Sequence, residues 1–261
     1  LCLIGFIVAR ERSPSASRPA ELSCSIIIPC KNERGNIESC LERIPDMGSH
    51  TEIIFVDGNS TDGTPDVIRE CIDQYRGKKD ITLISQGAGV GKADAVRKGF
   101  ELAAGDLLMI LDADLTVPPE DLPKFHLAVA EGKGELISGS RLVYPMERQA
   151  MRTLNLIANK LFSLAFTWIL EQRIKDTLCG TKALLRRDYK KIADGRAFFG
   201  DFDPFGDFDL LFGASRLSMK ITEMPIRYRE RTHGVTKISR FRHGWRLLRM
   251  CWIGFRKLRL S

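Results

Sequence analysis

The sequence lacks the cysteine and histidine patterns of disulfide-stabilised or zinc-stabilised proteins. Its seven cysteines are scattered without a C-x-x-C pair, and its four histidines show no metal-ligand spacing. This usage is typical of a reducing compartment and argues against a structural zinc site.

Long apolar runs are also missing. No run reaches about eighteen uncharged apolar residues, so the sequence predicts no membrane-spanning helix. The apolar segment 1–10 is too short to span a bilayer, and it lacks the basic leader and cleavage site of a signal peptide. Because the chain starts with Leu1, we expect a fragment or a processed chain, with residues 1–21 as an apolar segment and a polar linker.

Acidic residues are scarce towards the C-terminus. The formal net charge is +7, and between Arg227 and Arg259 the only acidic residue is Glu230. Such a basic segment suggests phosphates, anionic lipid or nucleic acid as a partner. The sequence contains no recognised nucleic-acid-binding motif, so we expect no nucleic-acid partner.

The sequence does contain a regular alternation of short strands and helices. Apolar runs predict strands at 24–29, 53–56, 81–84, 107–111, 135–138, 183–185 and 221–226. Helices are predicted at 36–44, 65–75, 92–104, 118–131, 151–170 and 207–217. The short connections predict an α/β domain at 22–240 with a doubly wound, mostly parallel sheet.

The most informative stretch is 105–116. Its apolar run predicts a central strand covered on both faces, and Asp112 and Asp114 follow that strand directly. Because neighbouring carboxylates repel and Mg²⁺ or Mn²⁺ prefers oxygen ligands, we expect Asp112 and Asp114 to bind a divalent cation at the carboxyl edge of the sheet. The alternative interpretation is a polar turn that caps the next helix.

Acidic side chains follow two further strands, Glu33 after the first and Asp57 after the second. Together with Asp112 and Asp114 they are expected at one edge of the sheet, as a nucleotide pocket requires. Alternatively, these acids only cap the helices that follow them.

A glycine-rich loop at 86–91 leads into Lys92. It is not a Walker A loop, because the glycine spacing differs and Ala93 follows the lysine. We expect Lys92 to present its ammonium group to a diphosphate at a helix N-terminus.

The predicted helix 151–170 carries polar residues on one face. Asn155 and Asn159 are four residues apart, and Arg152 lies about one turn before them. This face is either a site for an anionic acceptor or the solvated side of a core helix.

The chain ends in a basic amphipathic helix, expected at 241–261. One apolar stripe contains Phe241, Trp245, Leu248, Trp252 and Phe255. Two tryptophans with flanking arginines predict a helix that lies in a lipid interface. Docking on its own domain or on a partner is the alternative.

In combination, these segments resemble the family 2 inverting glycosyltransferases of the GT-A fold. The resemblance is greatest to polyprenyl-phosphate sugar transferases of the dolichol-phosphate mannose synthase type. The matching segments are SIIIPCKNE (25–33), VDGNSTDGT (56–64), GKADA (91–95), LDAD (111–114), GSR (139–141), DTLCG (176–180) and FGDFD (205–209). A narrower resemblance, to bacterial transferases fused behind a methyltransferase-like domain, implies that residues 1–10 are the tail of an upstream part.

The resemblance implies roles for the matching positions. The nucleoside would be held by Pro29, Glu33, Asp57, Ser60 and Asp62. Lys92 and Asp94 would lie beside the diphosphate, and Asp112 and Asp114 would carry Mg²⁺ or Mn²⁺. The acceptor would be bound by Arg141, Arg152, Asn155, Asn159, Arg227, Arg229 and Lys237.

The expected reaction separates a sugar from a nucleoside diphosphate. A cation and Lys92 would stabilise the negative charge that develops on the leaving group. An acceptor that is a lipid phosphate is already an anion and needs only arginines for orientation. A hydroxyl acceptor needs a base, and Asp207 and Asp209 are the candidates, although both could instead order the basic loop.

One departure from related enzymes narrows the function. Processive polysaccharide synthases carry Gln-x-x-Arg-Trp, whereas this chain has only His243-Gly-Trp-Arg246, so we expect no polymerisation. The expected function is transfer of a single sugar from a GDP- or UDP-linked donor to a polyprenyl phosphate, by a peripheral enzyme at the cytoplasmic face of a membrane. Transfer to a saccharide hydroxyl, or nucleotide-sugar binding without catalysis, are the alternatives.

Overall fold

The computed structural model describes residues 21–89, 91–143, 153–199, 208–229, 231 and 240–260. The strands are β1 (Cys24–Cys30), β2 (Thr51–Asp57), β3 (Asp80–Ser85), β4 (Leu107–Ile110), β5 (Leu136–Ser140), β6 (Lys182–Leu185) and β7 (Ile221–Pro225). The α-helices are α1 (Ile37–Arg43), α2 (Thr64–Gln74), α3 (Gly91–Leu102), α4 (Leu122–Ala130), α5 (Thr153–Leu170), α6 (Arg186–Asp194), α7 (Phe208–Arg216) and α8 (Arg240–Arg259).

The strands form one seven-stranded sheet in the order β3-β2-β1-β4-β6-β5-β7. All neighbouring pairs are parallel except those of β6, which runs antiparallel to β4 and β5. The carboxyl ends of the other six strands therefore meet the start of β6 at one edge of the sheet. The predicted doubly wound, mostly parallel architecture is confirmed.

Both faces of the sheet are covered by helices. The strand side chains alternate, so that Ile26 and Ile28 of β1 face the core beneath α1, α2 and α4, whereas Ile27 faces the opposite core. The opposite core is closed by α3, α5, α6, α7 and α8. Burial on both faces explains the continuous apolar runs of the central strands.

The C-terminal helix α8 packs on the domain and also exposes an apolar row. Leu247 and Met250 are buried in the core shared with α5 and α7, whereas Trp245, Leu248 and Trp252 are exposed. Gly254 allows the close approach, because a Cβ there would lie 2.8 Å from the Phe212 ring. In the part of the chain that the structure describes, no helix is long and apolar enough to cross a membrane.

Candidate functional site

The ends of β1 and β2 form the first wall of the site. Asp57, the last residue of β2, is 6% exposed and accepts a hydrogen bond from the Ser60 N–H at 3.1 Å. Among the described residues, no donor reaches its Oδ1, although this oxygen is buried. Buried polar atoms are almost always hydrogen-bonded in proteins, so this oxygen marks a position where a ligand can donate.

Two loops above these strands are held together by backbone-to-side-chain hydrogen bonds. The N–H of Asn32 donates to Ser60 Oγ at 2.9 Å, and the N–H of Arg34 donates to Asp62 Oδ2 at 3.2 Å. Burial opposes ionisation of Asp62, but hydrogen bonds from Thr64 and from backbone N–H groups lower its pKa on balance. Ser60 and Asp62 therefore hold the loop that carries Glu33.

Two other predicted donor residues have local partners. The Glu33 carboxylate accepts a hydrogen bond from the Asn36 amide at 2.8 Å. Pro29 lies inside β1, in register with Val56 of β2, so it shapes the floor beside Asp57.

The glycine-rich loop is organised by Gln86. Its amide donates to the carbonyl of Gly91 at 2.7 Å and to Asp94 Oδ2 at 2.9 Å. The ammonium of Lys98 lies 3.5 Å from the same carboxylate oxygen. Asp94 thus fixes the loop at the start of α3, next to Lys92.

Lys92 and Asp112 form an ion pair at the centre of the sheet edge. Lys92 Nζ lies 2.5 Å from Asp112 Oδ1, and both side chains remain partly exposed. Gly180, in the loop before β6, leaves the space for this pair, because a Cβ there would lie 2.2 Å from Lys92 Nζ and 2.5 Å from Asp112 Oδ2.

Asp114 is paired with an arginine of the C-terminal basic loop. Arg231 Nη2 donates to Asp114 Oδ2 at 2.5 Å, and the Thr116 hydroxyl donates to Asp114 Oδ1 at 2.7 Å. The N–H of Arg229 donates to the Thr116 carbonyl at 2.9 Å. This backbone contact fixes the loop beside the carboxylate.

The residues present fit a divalent cation held by Asp112 and Asp114. Each carboxylate has a basic partner in this structure, and a bound cation would share or replace that partner. Both carboxylates stay partly accessible, with side-chain exposures of 27% for Asp112 and 13% for Asp114. Within the described residues, no third histidine, cysteine or acid completes a metal-binding cluster, so the remaining ligands would come from diphosphate or water.

Arg141 is bound in a buried network rather than exposed at the edge. Its guanidinium donates to both oxygens of Asp176, at 2.6 and 2.7 Å, and the Asn159 amide donates to the same carboxylate at 3.1 Å. Burial disfavours both charges, but the mutual attraction lowers the pKa of Asp176 and raises that of Arg141. The guanidinium also lies over the Tyr228 ring, 5.1 Å from its centroid.

Asp209, one of the two candidate bases, is buried at the start of α7. Its Oδ2 accepts a hydrogen bond from Arg196 Nε at 2.7 Å and lies 3.4 Å from Arg97 Nε. The contact with Arg97 joins α7 to α3, the contact with Arg196 joins α7 to the segment after α6, and both favour a structural role. The other candidate, Asp207, lies outside the described residues.

Three of the predicted acceptor residues lie, wholly or by their side chains, outside the described residues. Arg152 and Lys237 lie outside the described residues, and so does the side chain of Asn155 in α5. Arg227 and Arg229 have exposed side chains in the segment after β7. The structure thus brings Arg141 and Asn159 together through Asp176. From the sequence, Asp176 had been placed in the matching segment 176–180 without an assigned role.

Sequence reasoning missed Arg231, Gly180 and the buried Lys182. Lys182 pairs with Ile110 of β4 and donates to the Cys179 carbonyl at 2.5 Å. The signal for this lysine was its place at the start of an apolar strand, next to the segment 176–180. Arg231 could not be separated from the other basic residues around it.

Solved structures that hold a nucleotide or a nucleotide sugar share this fold. Glucosyl-3-phosphoglycerate synthase from Mycobacterium tuberculosis, in complex with Mn²⁺, UDP and glucosyl-3-phosphoglycerate, aligns with a TM-score of 0.66 at 16% identity, over 96% of this chain and 86% of the other. A mannosyltransferase from Pyrobaculum calidifontis, in complex with GDP-Man and Mn²⁺, gives a TM-score of 0.59 at 22% identity, over 93% and 66%. These likenesses confirm the predicted GT-A type of fold.

Curated relatives match parts of their own length. A dolichol-phosphate mannosyltransferase of Pyrococcus furiosus is 36% identical over 124 residues, which are 47% of this chain and 34% of the relative. A low-salt glycan biosynthesis hexosyltransferase of Haloferax volcanii is 27% identical over 240 residues, which are 90% of this chain and 54% of the relative. The chain therefore spans between about a third and about half of these two relatives.

The family itself is established by a family model rather than by one relative. The model of glycosyl transferase family 2 matches residues 25–192, which include β1 to β6 and the acids at their edge. This confirms the family resemblance noted in the sequence, and the chain belongs to glycosyl transferase family 2.

Proposed function

We propose that the chain transfers a single sugar from a nucleoside diphosphate sugar to a polyprenyl phosphate at a membrane surface. The main support is the ion pair of Lys92 and Asp112 at the carboxyl edge of the sheet. Lys92 Nζ lies 2.5 Å from Asp112 Oδ1, and Gly180 packs against both side chains. A partly exposed ammonium group beside a carboxylate that can hold a cation suits a diphosphate that departs with negative charge.

The donor's nucleoside would lie between the two joined loops. Asp57 supplies a buried acceptor oxygen without a described donor, and a base N–H or a ribose hydroxyl can satisfy it. Glu33, Ser60 and Asp62 shape the loop beside it. Solved structures of the same fold hold UDP in one case and GDP-Man in another, which supports a nucleoside diphosphate and leaves the base open between guanosine and uridine.

Asp112 and Asp114 would hold the divalent cation, Mg²⁺ or Mn²⁺. When bound, it stabilises the charge of the leaving diphosphate as a Lewis acid. Lys92 would move from Asp112 towards the diphosphate and bind a phosphate oxygen. Asp94 and Gln86 would keep the lysine's loop in place during this exchange.

The acceptor is proposed to be a phosphate of a polyprenyl lipid. The relatives named for dolichol-phosphate and undecaprenyl-phosphate transfer support this class. A phosphate oxygen is already anionic, so it attacks the anomeric carbon without a base and needs only cationic positioning groups. Arg227, Arg229 and Arg231 lie on one segment at this edge, and the Arg141 network lies close to β5.

Peripheral attachment at the cytoplasmic face of a membrane is part of this proposal. It is supported by α8, which carries no acidic residue and exposes two tryptophans. The proposed division of the chain is a segment 1–21, a transferase domain 22–240 and an interfacial helix 241–261.

The test is a transfer assay with GDP- and UDP-linked sugars, Mg²⁺ or Mn²⁺, and polyprenyl phosphate in detergent. We expect metal-dependent formation of a single glycolipid product, and its loss in Asp112→Asn. A glycolipid formed equally well by Asp112→Asn would contradict the assignment of the site.

A saccharide hydroxyl is the second candidate acceptor, supported by the glycan-biosynthesis relative. It requires a base, and because Asp209 is bound by Arg196 and Arg97, Asp207 is the remaining candidate. Asp207→Asn separates the two: a severe loss of rate with intact donor binding favours a hydroxyl acceptor, and a retained rate favours a phosphate.

A further inference from the structure

A row of exposed apolar side chains lies on α5. Leu161, Leu164 and Trp168 are between 59% and 69% exposed. Their spacing of three and four residues places them on one face of the helix. The other side of this helix carries the buried Phe166 and Ile169.

A second row of the same spacing lies on α8. Trp245, Leu248 and Trp252 are between 55% and 73% exposed. Exposed large apolar residues that cluster in this way mark an interaction surface, whereas single ones need no explanation.

The two rows join into one surface through Phe255. The Phe255 ring stacks on Trp168 of α5 at 5.4 Å between centroids and lies 6.1 Å from Trp252 of α8. The α5–α8 surface is defined here as the two rows together with Phe255.

The charged side chains within α5 and α8 are all basic. Neither Thr153–Leu170 nor Arg240–Arg259 contains an aspartate or glutamate. Arg249 and Arg256 are exposed, and the Arg259 guanidinium lies 5.4 Å from the Trp168 ring centroid. Glu171, which follows α5, is paired with Arg259.

We propose that the α5–α8 surface seats the protein on an anionic lipid bilayer. Tryptophans and leucines enter the interface while arginines and lysines bind phosphate headgroups, which is the pattern of interfacial helices. The inference specifies the membrane contact of the proposed function and rests on it, and it adds α5 as half of the contact.

The position of α5 gives the contact a consequence for the site. Asn159 lies on α5 two residues before Leu161, and its amide binds Asp176, which holds Arg141. The lipid-facing row and this network of predicted acceptor residues are therefore carried by one helix.

The test is flotation of the full chain with vesicles of phosphatidylcholine, with and without phosphatidylglycerol, in the absence of polyprenyl phosphate and nucleotide. We expect binding that requires phosphatidylglycerol. The double variant Leu161→Ser/Leu164→Ser should weaken this binding by roughly tenfold or more, because two exposed leucines no longer enter the bilayer. Leu127→Ser is the matched control, since this exposed leucine lies on α4 across the sheet.

A second arm tests the charges. Arg249→Glu/Arg256→Glu should abolish the preference for phosphatidylglycerol. Equal vesicle binding by the Leu161→Ser/Leu164→Ser and Leu127→Ser proteins would overturn the proposal. The proposal would also be overturned if the wild-type protein did not bind vesicles but formed a dimer, and if Leu161→Ser/Leu164→Ser were monomeric. A second copy of the chain would then cover the surface.

Failure of this inference can be told apart from failure of the proposed function. If the protein binds vesicles but transfers no sugar, the membrane contact of the α5–α8 surface is supported and the proposed function is contradicted. If the protein transfers sugar in detergent but does not bind vesicles, the proposed function is supported and the membrane contact of the α5–α8 surface is contradicted.

Discussion

Arg231 and Asp114 are 117 positions apart in the chain, yet Nη2 of the arginine lies 2.5 Å from Oδ2 of the carboxylate. Asp114 is also a proposed cation ligand. The arginine therefore occupies the charge position that a divalent cation would take, and the two should compete for one carboxylate. This competition links metal binding to the basic loop after β7.

Removal of the arginine should strengthen metal binding. In Arg231→Gln we expect Mn²⁺ to bind about twofold to fivefold more tightly, because a partly exposed ion pair of up to about 1 kcal/mol no longer has to be broken. Titration of free Mn²⁺ by electron paramagnetic resonance, without nucleotide, measures the affinity. Arg76→Gln is the control. It removes the exposed ion pair of Arg76 with Asp73 at the end of α2, which involves neither Asp112 nor Asp114. Unchanged or weaker Mn²⁺ binding in Arg231→Gln would contradict the competition.

Lys92 should contribute to donor binding directly. In Lys92→Met we expect the affinity for a nucleoside diphosphate to fall by about tenfold or more, since hydrogen bonds to charged groups contribute about 1.5–3 kcal/mol. Isothermal titration calorimetry with GDP and UDP in the presence of Mg²⁺ gives the change. Lys190→Met, an exposed lysine on α6, should bind as wild type does. A Lys92→Met protein with wild-type affinity would mean that this ammonium does not reach the diphosphate.

The predicted and observed folds agree where burial dictates the pattern. The central strands could be predicted because both faces of the sheet are covered, which leaves continuous apolar runs such as 107–110. Helix α6 was not predicted, because only Tyr189 and Ile192 of its apolar residues are buried in an otherwise polar segment. The antiparallel direction of β6 carries no periodic signal at all, since strand direction depends on how the chain returns to the sheet.

The sequence was sufficient to propose individual residues of the candidate site, but not to predict which of their side chains are in contact. Asp57, Asp112 and Asp114 could be found because each follows an apolar strand. Their partners could not, because Arg231 lies far along the chain and Gly180 is distinguished only by the atoms that face it. Tertiary proximity, rather than local pattern, decides which charges meet.

Gly180 should be essential for the geometry of the Lys92–Asp112 pair. In Gly180→Ala the new Cβ would lie 2.2 Å from Lys92 Nζ and 2.5 Å from Asp112 Oδ2, so both side chains must move. We expect weaker binding of Mn²⁺ and nucleoside diphosphate with a small change in Tm, because the displaced groups are side-chain ends at a partly open site. Calorimetry and thermal unfolding on the same protein separate these effects.

The control for this variant is Gly244→Ala in α8, where nothing lies within 4 Å of the added Cβ. Alanine in place of a helical glycine should raise stability by about 0.5–1 kcal/mol without changing ligand binding. If Gly180→Ala binds Mn²⁺ and nucleotide as tightly as Gly244→Ala, the absence of a side chain at position 180 has no role in binding.

The buried pair of Arg141 and Asp176 should dominate the acid sensitivity of this part of the domain. Asp176→Asn leaves the guanidinium buried without its counter-charge, so we expect a loss of about 3–5 kcal/mol in the free energy of unfolding at pH 7. Asp66→Asn, which removes an exposed partner of Arg69, should cost about 0–1 kcal/mol.

The pH dependence follows from the lowered pKa of Asp176, which burial opposes but Arg141 and its hydrogen bonds outweigh. The stabilisation is fully present above the unfolded pKa of about 3.9 and is lost as the pH falls through the lower folded pKa. Urea unfolding at pH 7, 5 and below 4 should therefore show the gap between wild type and Asp176→Asn narrowing only in the most acidic range. A gap that stays constant through that range would show that the loss in Asp176→Asn comes from packing and not from the carboxylate charge.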